Sequence, residues 1–212
     1  EYRPDEACGF VGFFETIDDQ EVAHGLFDAA WDWCSGRGLS FLRGPINPSL
    51  NYECGLLIEG FDRPPTFQMT YNHAYYPPLW DSYGFKKSQD LFAYLGEVHL
   101  LDRPNEKLKW VFKEAQRRFN LTLRGIDKSR FREDVRLFLE IYNRSLVSTW
   151  GFVPLSDAEV DHMSAGLQHL IIPELTTIAE VDGKPVGASF GLLDYNPIIK
   201  RNDGYLFPFG FL

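Results

Sequence analysis

Apolar and polar positions change period several times along the 212-residue chain, and each change marks an expected element. The run Gly9-Phe10-Val11-Gly12-Phe13-Phe14 is short and aromatic, is closed by Glu15 and the polar Asp18-Asp19, and predicts a strand. From there Val22, Ala23, Leu26, Phe27, Ala30 and Trp33 recur at helical spacing. Asp18 with Glu21 forms a capping-box pattern, and Gly36 and Gly38 end the helix. Leu39–Arg43 reads as the next strand. Residues 44–65, GPINPSLNYECGLLIEGFDRPP, are too punctuated for a helix and too aliphatic at Leu56-Leu57-Ile58 for disorder, so an ordered loop with one short strand is expected. Thr66–Tyr71 alternates like a strand, Tyr75–Tyr83 reads as a short helix, and Ser88–Val98 as a longer strand.

Residues 103–119 put Leu108, Val111, Phe112, Ala115 and Phe119 on one helical stripe opposite a basic face. A linker helix that docks this stripe on a domain is expected. The alternative is peripheral contact with anionic lipid, with Trp110 as an interfacial anchor. Next come a strand at Leu121–Gly125 and a helix carrying Phe131, Val135, Phe138, Leu139 and Tyr142. A further helix begins at Ser156 with Glu159 as capping-box partner and buries Val160, Met163, Leu167, Leu170 and Ile171. Thr176–Val181 and Pro185–Leu192 flank Asp182-Gly183, a strong hairpin signal. The chain therefore divides into a strand-rich α/β first half at 1–101, a linker helix at 102–120 and a strand-helix-helix-strand-strand second half at 121–212.

Composition narrows the classes. A hydrophobic fraction of 44% with 16% aromatic residues is enough for a buried core. A formal net charge of -9 argues against a general nucleic-acid binder, which needs a basic face for phosphates. Cys8, Cys34 and Cys54 form no CxxC pair and no disulfide framework, so a reducing, cytoplasmic setting is expected. No run approaches the ~18 uninterrupted apolar residues of a spanning helix. The histidines His24, His73, His99, His162 and His169 lack paired-ligand spacing, so no metal is expected.

The richest polar set is Asn47, Ser49, Asn51, Glu53 and Cys54 on the Gly/Pro loop, with Tyr71, Asn72 and His73 at the end of an expected strand. Glu53 or His73 can take a proton from an ammonium through a water. The same loop residues also read as Asx and Ser turns that satisfy their own backbone. Cys54, beside Leu56 and Leu57, reads as a buried small hydrophobe rather than a nucleophile.

The order of elements at 121–193, with the hairpin IAEVDGKPVGASFGL, resembles the opening of the GNAT (Gcn5-related N-acetyltransferase) fold. Residues 9–98, with LFDAAWDWCSGRG and LWDSYGFKKSQDLFAYL including Gly84-Phe85, resemble the closing half of such a domain. The stretch GPINPSLNYECGLLIEGFD, then MTYN and YYPPLWDSYGF, looks like tandem GNAT-like bacterial proteins of the bacterial ceramide synthase family. The resemblance implies a mixed, mainly antiparallel sheet flanked by helices, in a partial tandem repeat. It also implies N-acyl transfer from acetyl-CoA or another acyl-CoA to a small-molecule amine.

Two departures qualify it. The family's pyrophosphate loop corresponds to ETIDDQEVAHG here, where Asp18, Asp19 and Glu21 repel phosphate and the paired glycines are missing. The family's acid tyrosine corresponds to Trp80, with Tyr83, Tyr75 and Tyr76 nearby as substitutes. The expected catalytic residues are therefore Glu53, Tyr71 and Tyr83. Asn47, Ser49, Asn51, Asn72, His73, Tyr75 and Tyr76 are expected to bind substrate, and the CoA site is expected beyond Leu212. The alternative is a non-catalytic module of the same fold that binds a small ligand or partner.

Overall fold

The structure is a computed structural model that describes residues 7–66, 69–97, 105–167, 170–203, 205 and 207. It is mixed α/β with small sheets, and its contacts divide it into two units. One unit gathers the described residues of Glu1–Leu91, Trp150–Val153 and Asp194–Leu212; the other gathers those of Phe92–Thr149 and Pro154–Leu193.

In the first unit, β1 (Cys8–Phe10) pairs in parallel with β2 (Phe41–Arg43), and α1 (Gln20–Ser35) is the crossover between them. Asp19 caps α1, accepting from the backbone N–H groups of Glu21 and Val22, one residue later than the expected Asp18. Ala23 and Phe27 on α1 are fully buried against Leu79 and Trp80 of α2 (Tyr76–Tyr83). Ring stacking organises this core. Phe14 lies parallel to Phe27 at 4.9 Å, Trp80 meets Phe27 edge-on at 4.8 Å, and Phe85 lies 4.5 Å from Trp80. Phe85 reaches the cluster because Gly84 ends α2 at φ 109°, a left-handed conformation that glycine adopts without Cβ strain.

Three strand expectations are corrected. The first strand ends at Phe10 rather than Phe14, because the chain turns at Gly12, where a Cβ would collide with the carbonyl of Ile46. Thr66 and Met69–Tyr71 are not strand: Thr70 Oγ1 donates to the Cys54 carbonyl, and Asn72 ties the adjoining chain to Leu57 by its amide. Phe67 and Gln68 lie outside the described residues. Ser88–Glu97 forms no regular element and has no strand partner among the described residues, so no ladder forms despite the apolar run. Val98 lies outside them.

The second unit follows its expected pattern closely. It begins with α3 (Glu106–Phe119), continues with β3 (Leu121–Arg124), and enters α4 (Phe131–Ser145) through a 3₁₀ turn at Lys128–Arg130. The Ser156–Glu159 capping box forms at the start of α5 (Asp157–Leu167), with Ser156 Oγ 2.7 Å from Glu159 Oε2. The hairpin of β4 (Thr176–Val181) and β5 (Lys184–Phe190) adds to β3 as an antiparallel sheet in the order β3-β4-β5. Its turn residues Asp182 and Gly183 have φ of 50° and 72°, the conformation a two-residue hairpin turn requires. Ile126, Val135, Leu139, Leu155 and Val160 form the core.

A buried carboxylate fixes this unit. Asp134, 3% exposed, takes a bidentate pair from Arg124 at 2.7 and 2.8 Å and a backbone bond from Asp127, while Arg124 Nε reaches Glu180 on β4 at 2.7 Å. The guanidinium holds the Asp134 carboxyl below its ordinary value. A last helix, α6 (Asn196–Arg201), returns to the first unit.

Candidate functional site

Within the first unit, the turn after β1, the Gly/Pro loop and the start of α2 enclose a cleft of about 210 Å³. Phe13, Phe14, Glu15, Pro45, Asn47, Glu53, Cys54, Gly55, Thr70, Tyr71, Asn72 and Tyr76 line it, and these include two carboxylates and no cationic side chain. The walls are set by backbone bonds from the loop to the turn after β1 and within the loop itself. Ile46 N donates to the Val11 carbonyl at 2.9 Å, and Gly55 N to the Pro45 carbonyl at 2.8 Å. Ile46 and Cys54 form an isolated antiparallel bridge, the remnant of the short strand expected in this loop.

Asn47 and Asn72 act as struts. Asn47 Oδ1 accepts from Phe13 N at 2.6 Å, which holds Phe13 at φ 52°. That is the left-handed region, at a typical expense of about 1–3 kcal/mol for a bulky residue, and Phe13 lines the cleft while remaining 74% exposed. Asn72 is 8% exposed; its side chain accepts from Leu57 N at 2.6 Å and donates to the carbonyls of Leu57 and His73. Both asparagines do for the backbone what a ladder would do elsewhere.

The most constrained acid-base pair is Glu15 with Tyr76. The Tyr76 hydroxyl donates to Glu15 Oε2 at 2.6 Å and accepts from Thr16 N at 3.2 Å. Tyr76 is 3% exposed, and burial together with the neighbouring carboxylate pushes its phenol upward, so it stays protonated and donates. Glu15 thus presents a carboxylate in the cleft, oriented by a buried phenol. Glu53 is exposed at the cleft wall, held by Asn47 N donating to its carbonyl at 3.0 Å. Burial pushes the Cys54 thiol upward, which keeps it protonated and poorly nucleophilic.

The structure thus brings together Asn47, Glu53, Cys54, Tyr71, Asn72 and Tyr76 of the residues singled out in the sequence. The others do not line the cleft. Ser49 Oγ accepts from Asn51 N at 3.2 Å, a Ser turn, and Asn51 Nδ2 donates to the Val153 carbonyl. His73 stacks on Tyr75 at 5.0 Å, and the Tyr75 hydroxyl donates to the Thr16 carbonyl. Tyr83 donates to Asp28 at 2.7 Å, and this bond to a carboxylate pushes its phenol up to about 12. Sequence reasoning missed Glu15, which it used only as a strand terminator. No local signal marked it, because its partner Tyr76 lies far along the chain.

The fit of a CoA pyrophosphate at the N-terminus of α1 can be tested directly. The Asp19 carboxylate already takes the N–H groups of Glu21 and Val22 that a phosphate would use, and Asp18 and Glu21 flank it. The residues there do not fit a CoA pyrophosphate. Among the described residues no helix is long and apolar enough to cross a membrane.

No family model and no solved structure matches the chain. Two curated relatives do. Protein YghO of Escherichia coli (strain K12) is 35% identical over 95% of this chain and 51% of its own length. Bacterial ceramide synthase of Caulobacter vibrioides (strain NA1000 / CB15N) is 36% identical over 95% of this chain and 52% of its own length. The chain therefore spans about half the length of the curated relatives it matches, and along nearly all of its own length it is similar to YghO and to a bacterial ceramide synthase.

Proposed function

We propose that this chain supplies the acceptor side of an acyl-CoA-dependent N-acyltransferase of GNAT-like build, and that the cleft beside Glu15 and Tyr76 receives the amine. The observation that carries the reading is the charge of the cleft: Glu15 and Glu53 face it with no cation among its lining residues. Such a site attracts an ammonium and repels a phosphate or a fatty carboxylate. The similarity to a ceramide synthase adds the reaction class, since ceramide is an amide of a fatty acid with a long-chain amino alcohol.

An amine is an ammonium in neutral solution and attacks the thioester carbonyl only after losing a proton; the C–N bond then forms as the C–S bond breaks and CoA leaves as its thiol. The Glu15 carboxylate takes that proton, directly or through a water, and the Tyr76 hydroxyl holds it in register at 2.6 Å. Phe13, Phe14 and Tyr71 offer apolar surface and ring faces to the carbon next to the charge. Glu53 provides a second carboxylate that binds the ammonium without the phenol's support. The acyl donor binds elsewhere than at the N-terminus of α1. A cytoplasmic setting is part of the reading, supported by three cysteines, Cys8, Cys34 and Cys54, that form no CxxC pair and are too few for a disulfide framework.

The test is an assay of the full-length protein with a long-chain acyl-CoA and a long-chain amine, following the amide by mass spectrometry. Glu15→Gln is expected to lower kcat/KM by about 10²-fold. Equal turnover by wild type and Glu15→Gln would remove Glu15 from the chemistry. A second reading, a non-catalytic amine-binding module, is favoured by the carboxylate-capped start of α1. It predicts amine binding with no amide formed.

A further inference from the structure

Helix α3 presents an unusual surface. Leu108, Val111, Phe112 and Phe119 share one side of it and are 63%, 46%, 43% and 58% exposed, and none of its residues is buried. The docking of this stripe expected from the sequence is not seen among the described residues. At ~100° per residue, Lys107 and Arg118 border one edge of the stripe and Lys109 borders the other. Trp110 falls on the opposite, polar side, so it is not the anchor the sequence suggested.

The charge on this helix runs against that of the chain. Lys107, Lys109, Lys113, Arg117 and Arg118 stand against Glu106 and Glu114, in a protein whose formal net charge is -9. The ion pairs within the helix, Lys109–Glu106 and Arg117 and Arg118 with Glu114, lie on the surface and leave a net positive helix. An apolar stripe edged by cations, with a polar far side, matches the cross-section of a helix that lies flat in a lipid interface. The apolar side chains enter the acyl boundary while the flanking lysines and arginine meet anionic headgroups. A protein partner fitted to the same stripe has no need of cations along both edges.

We propose that α3 docks this protein on the surface of an anionic membrane. The inference is independent of the acyl-transfer reading, since it concerns a different unit from the cleft and is measured without turnover. It would bring the cleft's unit to a surface where apolar substrates concentrate.

The test is flotation of the full-length protein with vesicles of phosphatidylglycerol and phosphatidylcholine, beside vesicles of phosphatidylcholine alone. The protein is expected to float with the anionic vesicles, and to be released as salt rises from about 0.1 to 0.5 M through screening. The combined variant Lys107→Glu, Lys109→Glu and Arg118→Glu should weaken this binding by at least about tenfold while melting close to wild type, because these side chains border the stripe at the surface. Leu108→Gln with Phe112→Gln should weaken it comparably on both sides of the salt range. Binding that ignores both variants, or no flotation by the wild type, overturns the proposal. So does a mass by light scattering that falls from dimer to monomer in the glutamine variant without any vesicle binding, since the stripe is then covered by a second copy.

Discussion

The two units hold themselves together by different means. The unit with β3, β4 and β5 repeats its buried positions with the period of its elements, and a buried charge, Asp134, is tied to Arg124, which also reaches Glu180. The unit with the cleft has three paired positions in its sheet among the described residues, and depends instead on stacked rings and on asparagine side chains that replace missing ladder bonds. Regular structure leaves little freedom to place a functional group. The loop-built unit holds Glu15 and Asn47 where no regular element would put them, beside Tyr76 in the first turn of α2, and it is there that carboxylates face a cleft.

The comparison breaks first at Phe27. This ring is fully buried among Phe14, Trp80, Tyr83 and Phe85, so Phe27→Ala should lower stability by about 4 kcal/mol in denaturant titration. A loss below about 1 kcal/mol would mean that the ring cluster is not the core of its unit. Next comes Arg124→Ala, which strands the buried Asp134 carboxylate and should lower stability by about 3 kcal/mol. The sign with pH follows from the lowered Asp134 pKa. The pair's contribution is fully present above the ordinary value of 3.8 and is lost as pH falls from there through the folded pKa. In acid titrations below that value, Arg124→Ala should therefore converge on the wild type.

Legibility in the sequence divided along the same line. In the sheet-bearing unit, the Ser156–Glu159 box, the Asp182-Gly183 turn and the stripe through Val135 and Leu139 each carry a local signal, and each formed where expected. In the cleft-bearing unit, α1 and α2 were readable by period, but Thr66, Met69–Tyr71 and, running on past that unit, Ser88–Glu97 have strand-like composition without a strand partner among the described residues. Pairing is a tertiary fact that composition does not record. The polar loop residues were legible as a group, and Asn47, Glu53, Tyr71, Asn72 and Tyr76 do converge. Glu15 was not, because a single carboxylate after a strand has no pattern. Its role depends on Tyr76, which lies far along the chain and meets it only through the fold.

A smaller effect sharpens the contrast at the helix N-terminus that resembles a phosphate site. Asp19→Ala should lower stability by about 1 kcal/mol through loss of the cap, and should leave acyl-CoA affinity unchanged. Tighter acyl-CoA binding in that variant would show that the capping carboxylate had been excluding a phosphate from a working site. Tyr83→Phe is the mildest change. Its hydroxyl serves Asp28 outside the cleft, so stability should fall by less than about 1 kcal/mol and turnover should persist.

The central claim is that the cleft beside Glu15 and Tyr76 binds an ammonium. Its most direct test is calorimetric titration of a long-chain primary amine into the full-length protein, its Glu15→Gln and Tyr76→Phe variants, and Tyr83→Phe as a control. The account predicts that affinity falls at least about tenfold in Glu15→Gln, falls less in Tyr76→Phe, and is unchanged in Tyr83→Phe. Equal affinity in the wild type and Glu15→Gln would contradict it.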